Sequence, residues 1–444
     1  MSVIEPFHAI RYPQREQTDL VAPPYDVLSG EQKAAMLLRN GHNIVAVDLP
    51  HIPPKSAGPD SAYAAAARTF EGWLAAGVLQ RDDKAALYAY QQTYTHAGTT
   101  YKRRGFFARV KLEEFGSGTI HPHEQTFSGP KEDRLKLMRA TRTNLSPVFG
   151  LYDDPSNDVT DLLFEAVHGK GRALPLASAN LPSQDGKGTV LSELWAVTDA
   201  AVIADVRKMM ADKHLYIADG HHRYTTCLNY RKELADAGKK TEGIDYTMFA
   251  LIALQDAGLI IMPTHRVVAT DSLEGFYMDA FVAAALPTCE VIETKFNGDS
   301  LDKLEHELAG HGPHAMGVYD PIEDTAIVIR PKIGDPLSLV SSGAVKGKSA
   351  AWRQLDVAIL QHLVFEQIVQ PNFVPKGGAV NWAFPHEAHE VATLCRSGQY
   401  RVGFLLQPTP LAAVRDLCNA NELMPQKSTF FYPKLATGMV MNRL

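Results

Sequence analysis

Cysteine is scarce: Cys227, Cys289, Cys395 and Cys418 are the only four in 444 residues, far apart and never in CxxC spacing. That excludes a disulfide framework and leaves reduced thiols that mostly pack, as expected of a cytoplasmic protein. Long apolar runs are also missing. No stretch approaches the ~20 residues that span a bilayer, so no membrane partner is expected. The opening MSVIEPFHAIRYPQ lacks the charged-then-apolar order of a secretory signal. Basic residues do not dominate: 44 Lys and Arg face 50 Asp and Glu, a formal charge of -6. Without a basic stretch interleaved with aromatics, no nucleic-acid partner is expected. The sequence has no internal repeat and no low-complexity segment. It has neither a GxxxxGK P-loop nor an HExxH zinc motif.

What is present is an ordinary globular composition, 45% apolar and 21% charged. A chain this long exceeds one ordinary core, so two or three packed units are expected. Pro23 and Pro24 make VAPPYDV irregular. Ser29 then caps a helix with Gln32 in the capping-box position, and Gly41 ends it. A helix over 61–76 places Tyr63, Ala67, Phe70 and Leu74 on one face. Residues 86–94 and 101–112 read as a hairpin turning at His96-Ala97-Gly98. A helix follows at about 131–141. Another at about 198–211 leads to the strand 215–218 and immediately to a helix at 222–237, whose apolar face is Tyr224, Cys227, Leu228 and Leu234. His222 and Thr226 fall on another face. Residues 246–254 form a β-rich run, and 259–268 continue extended past Pro263. Beyond 271 the order is helix, strand, helix, two strands, helix. This alternation implies an α/β or α+β fold with a mixed sheet.

The segment LYIADGHHRY, residues 215–224, carries the strongest chemical signal. A buried strand delivers Asp219 to its carboxyl end, where open α/β sheets bind ligands. Gly220 permits a tight turn and close backbone approach. A helix starts at once, so its free N–H groups and positive dipole end face the same point. Arg223 adds a planar fork suited to phosphate oxygens, Asp219 a charge for a metal ion or a hydroxyl, and His221 and His222 titratable donors. The pattern is that of a phosphate-holding turn. The plainer alternative makes Asp219 an N-cap and leaves the histidines satisfied by neighbouring backbone.

Three other segments are candidates. In HPHEQT, residues 121–126, two histidines and a carboxylate sit in a glycine-flanked loop. They suit a metal, a general base at Glu124, or a solvated loop. The segment GPKEDR follows. Near the end, MPQKSTFFYPKL contains phosphate-friendly Lys427, Ser428 and Thr429 before an aromatic run that equally reads as a packed tail. Pro263-Thr264-His265-Arg266 either faces a site or ends a strand, and Tyr25 and Asp26 are weaker candidates.

The motifs ADGHHRY (218–224), PHEQT (122–126), APPYDV (22–27) and PQKSTFFYPKL (425–435) together resemble a domain-of-unknown-function family of bacteria and archaea, over nearly the whole chain. That family is similar in fold to the ParB/sulfiredoxin type, which includes the free-serine kinases. The resemblance implies a ParB/sulfiredoxin-like nucleotide-binding core at 96–270, between α/β segments at 1–95 and 271–444. It implies Mg²⁺-dependent transfer of a phosphoryl group from ATP or ADP to a small hydroxyl compound such as free L-serine. His123 and Glu124 match the kinases' His-Glu pair, with Glu124 the catalytic carboxylate. Asp219, Gly220, His221 and Arg223 match the turn that handles phosphate and serine. In this reading Gly220, His222 and Arg223 bind nucleotide, with Lys131 and Lys427 as secondary phosphate contacts. Asp219 orients metal or hydroxyl, and His221 and His222 stabilise developing charge. His123, Thr126 and His265 contact the acceptor. The chain departs from the pattern in having His221 where sulfiredoxins have cysteine, which excludes that chemistry. It has no helix-turn-helix, and the gap between Glu124 and Asp219 is longer than in the compact kinases. Two alternatives stay open: a metal-dependent hydrolase using His121, His123, His221, His222 and His265, and a nucleotide-sensing module without catalysis. A homodimer is left open as the assembly.

Overall fold

The structure is a computed structural model and describes residues 2–116, 118–125, 128–169, 171, 173–239, 241–294, 296 and 301–444. The chain divides into two compact units, Met1–Ile260 with Pro433–Leu444, and Ile261–Tyr432. Among the described residues no helix is long and apolar enough to cross a membrane.

The first unit is built on a nine-stranded sheet. Its strands are β1 (Ile4–Glu5), β2 (Leu87–His96), β3 (Thr99–Lys111), β4 (Ile120–His121), β5 (Val148–Tyr152), β6 (Ala177–Pro182), β7 (Thr189–Val197), β8 (Leu215–Asp219) and β9 (Tyr246–Ala253). They run in the order β4-β8-β5-β9-β3-β2-β7-β6, with β1 beside β3. Two pairs are parallel, β8 with β4 and β9 with β5; the rest are antiparallel. The mixed α/β class expected from the sequence is therefore the class observed. The hairpin β2–β3 turns at Ala97 and Gly98, both at positive φ, 47° and 77°, as a two-residue turn with right-handed strand twist requires. It runs across residue 95, so segments 1–95 and 96–270 share one sheet.

Period-two alternation buries both faces of β2. Leu87 and Ala89 enter one core, while Tyr88 meets Phe7 and Tyr90 meets Phe107 on the other side. The helices are α1 (Gly30–Arg39), α2 (Asp60–Ala75), α3 (Ser128–Thr141), α4 (Asp158–His168), α5 (Ala200–Met210) and α6 (His221–Asp236). The Ser29–Gln32 capping box is present at α1. Helix α2 buries Tyr63, Ala66, Phe70 and Trp73, a stripe rotated by one residue at Ala66 and Trp73 from the expected Ala67 and Leu74. Helix α3 packs between α2 and α6, joining the core of the N-terminal helices to the core under the sheet. Helix α6 buries His221, Tyr224, Thr226, Cys227, Leu228 and Tyr230. Helix α6 is covered on two sides, by the sheet and by α3, and so buries Thr226 as well as its apolar stripe.

The second unit carries a six-stranded antiparallel sheet of β10 (Arg266–Ala269), β11 (Cys289–Glu293), β12 (Met316–Asp320), β13 (Thr325–Pro331), β14 (Trp382–Ala383) and β15 (Tyr400–Leu405), ordered β11-β13-β12-β15-β10-β14. Its core includes Leu301, Leu304, Val391 and Cys395. The helix-strand-helix-strand-strand-helix order expected beyond 271 is present. All four cysteines are buried and none is in a disulfide, in keeping with a packing role.

Candidate functional site

Everything in the site follows from how β8 ends. Leu215, Tyr216 and Ile217 are buried apolar residues, so the strand is anchored in the sheet between β4 and β5. Its register against β5 then shifts between Ile217 and Asp219, an irregularity of the kind that re-aims a side chain next to a site. Gly220 follows at φ +92°, and α6 begins at His221. A Cβ on Gly220 would stand 3.0 Å from Cζ and Nε of Arg223, so the position needs glycine both for its left-handed backbone and for the arginine folded across it. Gly220→Ala is expected to cost about 1–2 kcal/mol from the backbone alone and to push Arg223 off Asp219. Chemical denaturation checks this; an unchanged midpoint contradicts it.

Asp219 is not an N-cap: the start of α6 has no side-chain capping bond. Its carboxylate lies between two cations instead. Arg223 Nη2 donates to Oδ1 at 3.3 Å, and Lys434 Nζ donates to Oδ2 at 2.8 Å. Burial pushes the carboxyl up, but Lys434 and then Arg223 outweigh it and hold the acid well below the usual carboxylate range. The other edge of Arg223 is fixed by Nη1 donating to the carbonyl of Pro147, just before β5. The turn is thus a rigid, ionised group with 19% of the Asp219 side chain exposed.

The HPHEQ loop arrives by the sheet. Parallel pairing sets Leu215 opposite Ile120 and Tyr216 opposite His121. Two parallel strands end side by side, so the residues after His121 emerge next to the residues after Asp219. The backbone N–H of His123 donates to His221 Nε2 at 3.2 Å, and the rings meet edge to face with centroids 4.7 Å apart. His123 Nδ1 pairs with the carbonyl of Ile217 at 2.7 Å. Burial lowers the His123 pKa, opposed by the charge of Glu124, the Ile217 carbonyl and Asp219. Burial, then His123, drives His221 well below the imidazole range. His221 accepts the His123 N–H through Nε2, so both rings sit neutral near pH 7. Glu124 is half-buried in the bend that follows. His121 turns elsewhere, stacked on His214 with a 2.7 Å N–N hydrogen bond.

Behind Arg223 lies a cavity of about 30 Å³ lined by Asp48, Arg134, Arg223 and Thr226 together with apolar Leu137 and Met138, space for a water or two rather than a substrate. Arg134 is buried, ion-paired to Asp48 at 3.2 Å and Asp133 at 2.6 Å, with its guanidinium 3.8 Å over the Tyr25 ring. Tyr25, Asp133 and Arg134 therefore form part of the scaffold beside the turn.

The structure brings Glu124, His123, Asp219, Gly220, His221, His222 and Arg223 together. Lys131 stands half-buried in the first turn of α3, and Thr126 lies outside the described residues. His265 and Lys427 belong to the second unit. There His265 is fully buried, its Nδ1 accepting the Leu406 N–H at 3.1 Å and its Nε2 3.4 Å from Glu305. Lys427 is exposed, while Phe430, Phe431 and Tyr432 are buried as a packed tail. Among the described residues of the second unit, Asp302, Glu387 and His389 bring ligand atoms within 4.8 Å of one another. The described groups converging in this way do not include His121, His123, His221 or His222; the rings of the first three pair with neighbours. Sequence reasoning missed Lys434, which stands seven residues beyond the lysine it selected in the same motif.

No curated protein matches the chain. Solved structures similar to it include a free serine kinase in complex with AMP, at 10% identity, covering 74% of this chain and 98% of that one with a TM-score of 0.32. SbnI with C-terminal truncation from Staphylococcus aureus is similar at 12% identity, 76% and 87% coverage and a TM-score of 0.35. A conserved hypothetical protein from Pyrococcus furiosus follows at 13% identity, 72% and 92% coverage and a TM-score of 0.30. The model of the family described as protein of unknown function (DUF1015) matches residues 4–358. The chain belongs to that DUF1015 family.

Proposed function

We propose that this protein is a small-molecule phosphotransferase of the free-serine-kinase kind, moving a phosphoryl group from ATP or ADP to a small hydroxyl acceptor, with L-serine the first compound to try. The observation that carries this reading is the ionised Asp219 held at a strand end, at the start of a helix, beside Arg223 and the docked Glu124 loop. Helix N-terminal N–H groups and an arginine fork favour phosphate, and a carboxylate beside them suits phosphoryl transfer. The ParB/sulfiredoxin-type core is part of the same reading.

In this mechanism the turn at Gly220, with His222 and Arg223, holds the nucleotide phosphates. Asp219 would hold a Mg²⁺ ion, which would supply charge neutralisation at the phosphates, since an ionised carboxylate suits a hard cation. The acceptor hydroxyl oxygen bonds to the terminal phosphorus as the bond to the bridging oxygen breaks, leaving ADP from ATP or AMP from ADP. Glu124 takes the hydroxyl proton. The neutral rings of His123 and His221 place the Glu124 loop and exclude water. Arg223→Ala is expected to weaken ADP binding by roughly tenfold or more. Isothermal titration of both proteins checks this, and equal affinities reject the assignment of Arg223.

A further inference from the structure

Lys434 is the last residue that sequence spacing would join to the turn, lying 215 positions from Asp219. Its placement is nevertheless tightly specified within the first unit. Buried Arg103 on β3 donates through Nη2 to the carbonyl of Pro433 at 2.5 Å, and its guanidinium lies 4.9 Å over the Phe149 ring. The same Nη2 also donates to Oε1 of buried Gln92 on β2. Gln92 in turn donates through Nε2 to the carbonyl of Lys434 at 3.1 Å. The backbone N–H of Lys434 donates to Oε1 of Gln184 at 3.2 Å. Two successive carbonyls and one N–H of the segment are thus gripped by side chains from the sheet and the loop beside it. Arg103 and Gln92 are 1% exposed. Placing a guanidinium there is costly unless it is fully engaged, and what it engages is the backbone that carries Lys434.

We propose that Lys434 is the second phosphate-holding cation of the site, and that Gln92 and Arg103 are positioning residues that fix the Lys434 backbone so its ammonium reaches Asp219. This rests on the phosphotransferase reading and extends it. Arg223 approaches Asp219 from within α6, whereas Lys434 approaches its other oxygen from a separate chain segment. The phosphates are then flanked by cations on two sides of the turn. A planar fork gives direction, and an ammonium gives a compact charge that can follow the oxygens as the transferring group moves.

Two measurements on the full chain test this. In the first, ADP is titrated calorimetrically into wild type, Lys434→Met and Gln92→Met. Expected is a roughly tenfold or larger loss of affinity in Lys434→Met, and a smaller loss in Gln92→Met, each titrated below the melting transition of the protein used. In the second, lysine acylation by acetic anhydride is mapped by mass spectrometry. Lys434 should react severalfold faster in Gln92→Met than in wild type, while Lys427 is unchanged. Lys434→Arg, which restores the charge, should recover most of the ADP affinity. Wild-type ADP binding with Lys434→Met unaltered overturns this inference and leaves the phosphotransferase reading standing. Equal acylation of Lys434 in wild type and Gln92→Met overturns the positioning role. No ADP binding by wild type overturns both readings.

Discussion

Glu124→Gln lowers phosphoryl transfer by roughly 10²–10⁴-fold, the usual contribution of a positioned general base, and leaves nucleotide affinity within about twofold of wild type. The expectation follows from where the loop sits. Glu124 comes one residue after His123, whose N–H is fixed to His221 in the Asp219 turn, and its charge acts on the His123 ring together with that of Asp219. The amide keeps the shape and loses the proton acceptor, so kcat falls and nucleotide Kd does not. Steady-state kinetics with calorimetric Kd values separate the two. An unchanged kcat removes Glu124 from the chemistry, while a large rise in Kd reassigns it to binding.

The second large effect is on stability. His123 and His221 are buried with pKa values lowered from the ordinary imidazole value, by burial first in both. The groups bearing on them are mixed in sign: Glu124 and Asp219 favour their charged forms, while Lys434, His222 and Arg223 oppose them. With the folded pKa below the unfolded value, the unfolded chain binds protons that the folded chain refuses. Stability therefore falls as pH drops below ~6.5, by on the order of 1 kcal/mol per pH unit for each histidine at most. Urea unfolding between pH 7 and 5 measures it, and His123→Asn should make the fall shallower. Asp219 acts in the same direction at lower pH. Its depressed folded pKa gives stability that is present above the unfolded carboxylate value and lost as pH falls through the folded one. A flat profile from pH 7 to 5 contradicts the buried, neutral histidine pair.

The turn was legible in the sequence because its cause is local. Strand, glycine, helix start and charged side chains are contiguous over 215–224, and each dictates its neighbour's geometry. The hairpin at Ala97-Gly98 and the Ser29 capping box were legible for the same reason. What could not be read is what the sheet brings from far away. The docking of His123 against the Asp219 turn depends on the short parallel pairing of residues 120–121 with 215–216, which no period in the sequence announces. Lys434 depends on a grip by Arg103 and Gln92, more than 300 residues upstream. The choice of Lys427 over Lys434 followed residue type, because Ser428 and Thr429 flank the former. The boundary between the two units falls at 432–433 and gives Lys434, not Lys427, to the unit that holds the turn.

The most direct measurement is incubation of the purified protein with Mg²⁺, ATP or ADP and a pool of small hydroxyl compounds including L-serine, followed by mass spectrometry. The account predicts one new phosphorylated compound with matching ADP or AMP release, formed by wild type and absent with Asp219→Asn. Nucleotide bound but never turned over, across the whole pool, would contradict phosphoryl transfer and leave a nucleotide-sensing site. Failure to bind either nucleotide would contradict the phosphate-holding turn itself.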